Sequence, residues 1–592
     1  MPATLGAGLG SVVGVRFHGR RTRGWVLGPT GDVPSRLLPV DRLVSPVPVF
    51  DPGMLEVLRW VAERYVAPLA TVIGRASPPR VASEDPAEHR AAWPAPGSPS
   101  LRHSSPHGAS SVLPGYRGAG ALLRAIRDAP GSGPGGLSDP VADGADRPTS
   151  FTLRPAPEDE AAVCVEAVAA CLQAGRRALV LVPEADPVPA TVTALEGAFG
   201  DRVVRFVGGD QRARYRTWLA IGSGRFDVVV ATRPGVFAPL HDLGLVYVAR
   251  ASHPALREDR APYYHVREVA QTLARVRGGV CVLAAACQSA ETSALGLPAV
   301  TPSGRRWPAV EVVRPGAEGR APRLLQALRT ANRAFMYSPL PGYGVARVCR
   351  TCGRPASCAT CGGTLRQASG EIRCVVCAAP GRCATCGGTT FGVVRGGSER
   401  VEEWAAQVAS VPVRRAARPR LPDASGEILV GGPADVRDLG TADLDLVAVL
   451  DADLAARRPG MNAAERALTV WMEAVGWARP SGRAIVQASD PSDPAVQALV
   501  RGNPDRFLER ERRRREEAGF PVDAAVFRVI GVEGLEAALE DLPLHTKLIS
   551  TLGERTVCLL AVATRHVPAF GRTMRALAAS GVVTRVEAEP HL

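Results

Sequence analysis

The sequence predicts a multidomain α/β protein. It has two parallel-sheet α/β lobes, a cysteine-rich insert in the second lobe, a small β-rich N-terminal domain and an α+β C-terminal domain. Three observations carry this reading. The chain has 592 residues, and single hydrophobic cores stop growing beyond ~250–300 residues. Short apolar strands alternate with helical segments in two separate stretches, the signature of parallel sheets covered by helices. Eight of the thirteen cysteines fall within 38 residues, inside the second stretch.

Residues 11–45 read as short β segments. Ser11–Phe17 and Gly24–Leu27 alternate apolar with small or polar residues, and HGRRTR between them reads as a turn. Met54–Tyr65 (MLEVLRWVAERY) has the apolar spacing of an amphipathic helix. Residues 76–119 are rich in Pro, Ser, His and Ala and read as linker. Ala119–Arg127 reads as one helix, and Ala129–Pro148 returns to Gly/Pro-rich loop. From Phe151 the pattern changes. Asp159–Ala174 is helical, and Ala178–Val182, Asp227–Ala231, Leu245–Ala249 and Val280–Ala284 are apolar runs of buried-strand length. Ile428–Gly431, Leu446–Leu450 and Ala484–Gln487 repeat that pattern beyond the cysteines. Phe507–Glu517 (FLERERRRREE) reads as a charged, solvated helix, and residues 525–592 as a small α+β domain.

The eight cysteines form four CxxC pairs: Cys349/Cys352, Cys358/Cys361, Cys374/Cys377 and Cys383/Cys386. Eight thiolates in CxxC steps suit two tetrahedral zinc sites of four sulfurs each. Three knuckles are followed by glycine (Gly353, Gly362, Gly387), which permits the left-handed turn that closes a knuckle. The gaps between pairs are five, twelve and five residues. Pairing neighbours leaves five residues between the two knuckles of each site. A nested order gives Cys358/Cys361 with Cys374/Cys377 across the twelve-residue gap, and Cys349/Cys352 with Cys383/Cys386 outside. We favour nesting, because twelve residues can form a hairpin and five leave little room. A disulfide cluster is the competing reading; no secretory signal supports it. The other cysteines (Cys164, Cys171, Cys281, Cys287, Cys558) lie among apolar residues and read as core.

The chain is 46% hydrophobic with a formal net charge of +13. No apolar run approaches the ~20 residues of a membrane span, and the start MPATLGAGLG carries no export signal. The expected location is cytoplasmic. The positive charge points to a polyanionic partner. Between Pro341 and Pro380 there are five arginines and one acid, Glu371. Of the 71 basic residues only Lys547 is a lysine, and it lies in HTKLIS without a glycine loop. A Walker A loop, GxxxxGK[ST], needs that ammonium on the β- and γ-phosphates. Arginine does not replace so compact a charge.

Several stretches together resemble the replication-restart primosomal helicase family, primosomal protein N′ or PriA. GVRFHGRRTRGWVLG (14–28) is similar to the family's β-rich domain that binds a 3′ DNA end. ATRPGVFAPLHDLGLVYV (231–248), YYHVREVA (263–270) and LAAACQSAET (283–292) resemble first-lobe motifs. NRAFMYSPLPGYGVARVCRTCG (332–353) and LDLVAVLDADLAARRPGMNAAERA resemble second-lobe motifs, and the cysteine spacing is the most specific match. The resemblance implies a 3′-end-binding-like domain over 1–75, a linker or degenerate winged-helix-like region over 76–150, and a degenerate helicase lobe 1 over 151–318. It implies lobe 2 over 319–345 and 390–504, a two-zinc insert over 346–389 and a C-terminal domain over 505–592. The family's first domain carries more β structure ahead of Ser11, so this start reads as truncated or mis-called.

The departures from the family pattern are concentrated in the ATPase motifs. Arg154–Ala161 offers two prolines and three acids where the phosphate loop belongs. Ala249, Arg250, Ala251 and Ser252 stand in place of the metal-binding DEEH. Ala285 and Cys287 replace a Ser and a Thr, and Trp477, in EAVGWARP, replaces the finger arginine. The resemblance thus implies recognition of branched DNA at stalled forks, primosome assembly and reloading of the replicative helicase, with no ATP or Mg²⁺ and no catalytic residue. The expected partners are forked DNA, helicase-loading proteins and single-strand-binding protein, and the expected state is a monomer. Two alternatives remain open: an active ATP-dependent 3′-to-5′ helicase, and a zinc-containing nucleic-acid-binding protein unrelated to forks. Candidate DNA contacts are Arg16, Arg20, Arg21 and Arg23 in the first domain and Arg347, Arg350, Arg354, Arg366, Arg373 and Arg382 in the insert. His253, His265, Asp451, Asp453 and Glu465 read as structural.

Overall fold

The computed structural model describes residues 6–17, 19–31, 39–45, 47–85, 111–130, 148–316, 320–339, 346–352, 356–360, 365–368, 371–374, 377–395, 397–440, 443–456, 460–540, 542–552 and 555–590. The chain is a multidomain α/β protein with two parallel-sheet lobes. Its first three strands, Val12–Phe17, Arg20–Trp25 and Val40–Ser45, form an antiparallel sheet with Val12–Phe17 at the centre. Two residues separate the first two strands, and the second of them, Gly19, takes a φ of +76°. The reversal is therefore shorter than the HGRRTR turn expected, and Arg20, Arg21 and Arg23 lie in a strand.

The helix Pro52–Arg64 follows. Asp51 accepts from the Met54 N–H at 2.8 Å, and proline at the first turn loses no needed donor. Its apolar face (Met54, Leu55, Val57, Leu58, Val61) is buried against the first lobe.

The first lobe is an eight-stranded sheet in the order Tyr116–Arg117, Ala299–Pro302, Ser150–Leu153, Val280–Ala284, Leu243–Val248, Arg177–Leu181, Val228–Ala231, Val203–Phe206. All pairings are parallel except the first. Residues 111–128 differ from the linker expected. Leu113, Leu122 and Ile126 are fully buried with Phe151 and Val163, so this segment, with its helix Ala119–Arg127, belongs to the first lobe. Burial of an apolar helix face overrides the surrounding linker-like composition. Within the winged-helix-like region, 86–110 and 131–147 lie outside the described residues. Cys164, Cys171, Cys281, Cys287 and Cys558 are all fully buried.

The second lobe is a six-stranded parallel sheet in the order Ala309–Val313, Ala478–Gln487, Leu444–Val449, Arg333–Tyr337, Glu427–Gly431, Val413–Arg415. Ala309–Val313 falls within the range expected for the first lobe, yet it pairs with Arg483–Gln487. The C-terminal sheet has the order Leu544–Leu552, Arg555–Ala563, Ala524–Gly531, Val583–Ala588. Its apolar face shares one core with the N-terminal helices and the first lobe.

The helix Asp505–Glu517 is not simply solvated. Phe507 and Leu508 are buried in the second-lobe core, and Arg515 is 4% exposed. Arg515 donates to Glu291 of the first lobe at 2.6 Å and to Glu465 of the second at 2.7 Å. Arg267 lies 3.6 Å from Glu291. Burial opposes ionisation of Glu291, but Arg267 and Arg515 hold its carboxyl low. Glu465 also accepts from the Ala290 N–H across the interface. A helix written in charged letters thus carries the bolt between the lobes. Removing one partner of a buried pair strands the other, at ~3–5 kcal/mol. Arg515→Ala should therefore lower the thermal unfolding midpoint clearly, whereas Arg513→Ala, which removes an exposed pair with Glu509, should leave it nearly unchanged; equal effects would refute the bolt.

Candidate metal centre and nucleic-acid interface

The cysteine module is built from two small antiparallel pairs. Ala346–Cys349 pairs with Phe391–Arg395, and Leu365–Ala368 forms a hairpin with Glu371–Cys374. An isolated bridge between Cys358 and Cys383 ties the inner and outer parts. The sulfurs of Cys349, Cys352, Cys383 and Cys386 lie within 4.8 Å of one another, as do those of Cys358, Cys374 and Cys377. The grouping is nested rather than sequential, because the hairpin brings the ends of the twelve-residue gap together. Cys361 lies outside the described residues.

The sulfur geometry fits a metal. Zn–S bonds of ~2.3 Å in a tetrahedron put sulfurs ~3.8 Å apart. The observed separations are 3.5 Å for Cys349–Cys386, 3.8 Å for Cys352–Cys383 and 3.7 Å for Cys358–Cys377. Although burial opposes ionisation of Cys349, the N–H groups of Cys352 and Thr351 donate to its sulfur and its thiol lies at about 6. Gly387 takes a φ of +71°. A Cβ at Gly388 would sit 2.8 Å from the Thr351 hydroxyl and 3.1 Å from the Cys349 sulfur, so the outer cluster needs glycine there. Gly353 and Gly362 lie outside the described residues.

The arginines of this module are unequal. Arg350 is exposed. Arg373 is held by Glu371 at 2.8 Å, both exposed, a pair worth ~0–1 kcal/mol. The side chains of Arg347, Arg354 and Arg366 lie outside the described residues.

In the N-terminal sheet the register sorts the candidates by face. Arg16 stands opposite Arg21, and Arg23 opposite Gly14. Residues 14 and 16 share one face, so Arg16, Arg21 and Arg23 do too. Arg42 also stands opposite Gly14, from the third strand, and its side chain lies over that glycine. Sequence reading missed Arg42, because its strand partner is not visible in sequence. Arg20 pairs with Phe17 on the opposite face. Only Asp41, 3.5 Å from Arg16, is placed to offset this cluster among the described residues.

The cleft between the lobes holds the positions that depart from the family's ATPase motifs. Pro157–Asp159 is a single 3₁₀ turn leading into the helix Glu160–Gln173. Asp159 turns inward and accepts from the Tyr116 hydroxyl at 2.9 Å and from Arg306 at 2.5 Å. Burial, with Asp438 nearby, pushes the Glu160 carboxyl up to about 8. Arg250 is 5% exposed and adopts a φ of +48°. It pairs with Glu473 of the second lobe, donates to the Val436 carbonyl at 3.0 Å and reaches Glu184 at 3.4 Å. Arg437 also pairs with Glu184. Sequence reading saw Arg250 only as a lost acid; its partners, remote in sequence, make it a clamp. Trp477 is buried and packs edge-on to Phe335 with ring centroids 4.9 Å apart. Ala249, Ala285 and Cys287 are buried.

The remaining candidates are structural. His265 accepts from the Arg267 N–H and caps a helix. His253 lies 3.1 Å from Glu184. Asp453 accepts from the N–H groups of Ser489 and Asp490, and Asp451 accepts from Gln487. Among the described residues, no helix is long and apolar enough to cross a membrane.

Comparison with known proteins adds two findings. Residues 1–78 match the model of the PriA 3′ DNA-binding domain. The replication restart protein PriA of Mycobacterium tuberculosis (strain H37Rv) is 31% identical over 579 residues, covering 89% of this chain and 83% of that protein. The Mycobacterium leprae protein is 29% identical, covering 88% and 83%. The Bacillus subtilis protein is 25% identical, covering 61% and 50%. With a relative above 30% identity matched along most of both chains, this chain belongs to the replication restart protein PriA family.

Proposed function

We propose that this protein is a replication restart factor that recognises abandoned or stalled forks by their branched DNA and works as a platform rather than a motor. It promotes primosome assembly and reloading of the replicative helicase, in the cytoplasm and as a monomer. Its partners are forked DNA, helicase-loading proteins and single-strand-binding protein. The observation that carries this reading is Arg250, whose guanidinium pairs with Glu473 across the interlobe cleft, at the place where the family's metal-binding acids belong. The protein's own Arg250–Glu473 pair lines the cleft. Fork recognition proceeds through phosphate contacts, which need no ATP.

The two cysteine clusters each hold a zinc ion in this reading, Cys361 completing the inner set. With four sulfurs and no open position, zinc supplies cross-linking of the knuckles and no chemistry. The residues orient the module: the Thr351 and Cys352 N–H groups fix the Cys349 sulfur, and the pairing of Leu365–Ala368 with Glu371–Cys374 positions Cys374 of the inner set.

Phosphoryl transfer rests on a phosphate cradle, Mg²⁺ and an arginine finger, the last alone contributing ~10³–10⁵ in rate. DNA-stimulated ATP hydrolysis and strand displacement by the full chain are therefore expected at background; turnover that disappears in an Arg250→Ala variant would reveal a working site and end the platform reading. Metal analysis should return two zinc ions per chain. Cys358→Ser and Cys374→Ser should each lose the same single ion, and Cys349→Ser and Cys386→Ser the other; a shared phenotype of Cys358→Ser and Cys349→Ser would break the nested assignment. Finally, the logarithm of fork affinity should fall linearly with the logarithm of salt, at about −0.9 per phosphate contacted. Neutralising Arg16, Arg21 and Arg23 together should flatten that slope by about two to three, and Arg20→Gln alone should flatten it less than Arg21→Gln, because Arg20 points to the other face. An unchanged slope in the triple variant would remove this face from the interface.

A further inference from the structure

The two cysteine clusters share backbone as well as sequence. Cys358 of the inner cluster and Cys383 of the outer one face each other across an antiparallel bridge. Two hydrogen bonds flank that bridge. The Ala359 N–H donates to the Arg382 carbonyl at 3.0 Å, and the Ala384 N–H to the Ser357 carbonyl at 2.9 Å. Just before Cys383, the Gly381 N–H donates to the Ile372 carbonyl at 2.7 Å. The segment that carries Cys383 is thus bonded to both halves of the inner site, the knuckle of Cys358 and the hairpin strand Glu371–Cys374. The approach at Gly381 leaves no room for a side chain. A Cβ there would lie 2.6 Å from Ile372 Cγ2 and 2.9 Å from the Ile372 carbonyl oxygen.

A second contact joins the clusters through another strand. Cys349, an outer ligand, stands opposite Phe391 in the pairing of Ala346–Cys349 with Phe391–Arg395. Phe391 packs against the small core of Cys358, Leu365 and Cys374, of which two are inner ligands. Two outer sulfurs, those of Cys349 and Cys383, therefore sit on backbone that inner-site residues hold in place. So small a core offers little else to keep an empty knuckle closed.

Nesting supplies a topological reason for the same dependence. Cys352 and Cys383 are 31 residues apart, and Cys358 and Cys377, which meet inside that span, are 19 apart. Closing the inner span leaves about twelve free residues for the outer one, which favours outer closure by about fourfold. Each hydrogen bond that needs both knuckles folded adds about fivefold, net of competition with water.

We propose that the two metal sites are energetically coupled: an ion in either one raises the affinity of the other, so that the module loads and empties as a unit. The proposal rests on the reading of both clusters as zinc sites and adds a property that neither has alone, a steep response of the whole module to the zinc supply. Such coupling is reciprocal, with the same factor from either side. Arg350, Arg373 and Arg382 are exposed on this frame, so their spacing depends on both ions together.

The test titrates the full chain, stripped of metal by chelator, with Co²⁺ followed through the absorption of its tetrahedral thiolate complex, and then with competing Zn²⁺. Cys374→Ser leaves only the outer site intact, and Cys349→Ser only the inner. Each variant should bind one ion and so yield a single-site constant. The overall constant of the native chain for two ions should exceed the product of those two constants by about tenfold or more, with a Hill coefficient above one. Gly381→Ala, which keeps all eight cysteines, should bind two ions with a Hill coefficient nearer one. An overall constant equal to the product, with two ions bound, overturns the coupling and leaves the zinc assignment standing. Fewer than two ions in the native chain overturns the zinc assignment and the coupling with it. Should a cysteine variant misfold and hold no ion, Gly381→Ala decides: a Hill coefficient lowered toward one supports the coupling, and one equal to the native value overturns it.

Discussion

The structure depends on arginine–carboxylate pairs buried where its domains meet. Arg250 joins Glu473 at one end of the interlobe surface, and Arg515 joins Glu291 and Glu465 at the other. The chain of charge continues from Glu291 to Arg267, then Glu268, then Arg64 of the N-terminal helix, then Glu589 beyond the last strand of the C-terminal domain. N-terminal helix, both lobes and C-terminal domain are linked by one network. Burying such charges adds little net stability, because desolvation offsets attraction, but separating any pair leaves an unmatched charge at several kcal/mol. The network therefore fixes geometry.

Arg250 shows how local strain is tolerated for this purpose. A non-glycine residue at positive φ costs about 1–3 kcal/mol. The neighbouring strand Leu243–Val248 is fully buried in the sheet and cannot shift to relieve it. The left-handed turn directs the guanidinium across the cleft to Glu473 and the Val436 carbonyl. Arg250 stands where the resemblance places the family's metal-binding acids, and Glu160 beside it is held toward its neutral form by burial.

The cysteine module and the basic faces divide the remaining work. Apolar cores make the lobes rigid, with all strand residues of Val228–Ala231 and Glu427–Gly431 buried. The module is too small for that: its own core is Cys358, Leu365 and Cys374 with a few half-buried neighbours. So small a fold buries too little surface to stand on its core alone, and its two cysteine clusters could hold the metal that would cross-link it. The charge of the chain, spread over the sequence as arginine, is gathered by the N-terminal sheet register on one face, at Arg16, Arg21, Arg23 and Arg42.

The lobes were legible in the sequence because buried parallel strands are nearly continuous apolar runs. Val280–Ala284 is a strand within the limits the sequence indicates, and Ala119–Arg127 a helix likewise. The cysteine knuckles were legible because CxxC is a local constraint, and the hairpin that nests them follows from a twelve-residue gap. Family membership was legible from motif order. The misreadings share one cause: they concern residues whose role is set by partners remote in sequence. Residues 111–118 look like linker until Leu113 and Tyr116 join the first-lobe core with Phe151 and Val163. Ala309–Val313 reads as the end of one lobe until Arg483–Gln487 pairs with it. FLERERRRREE looks solvated until Glu291 and Glu465, 224 and 50 residues away, meet Arg515. Sequence alone determined the elements, the metal-ligand spacing and the absence of a phosphate loop, because each is written within a short window. Tertiary structure decided which charges neutralise one another and which are left facing outward, because Coulomb interactions depend on distance in space, and only the fold sets that distance.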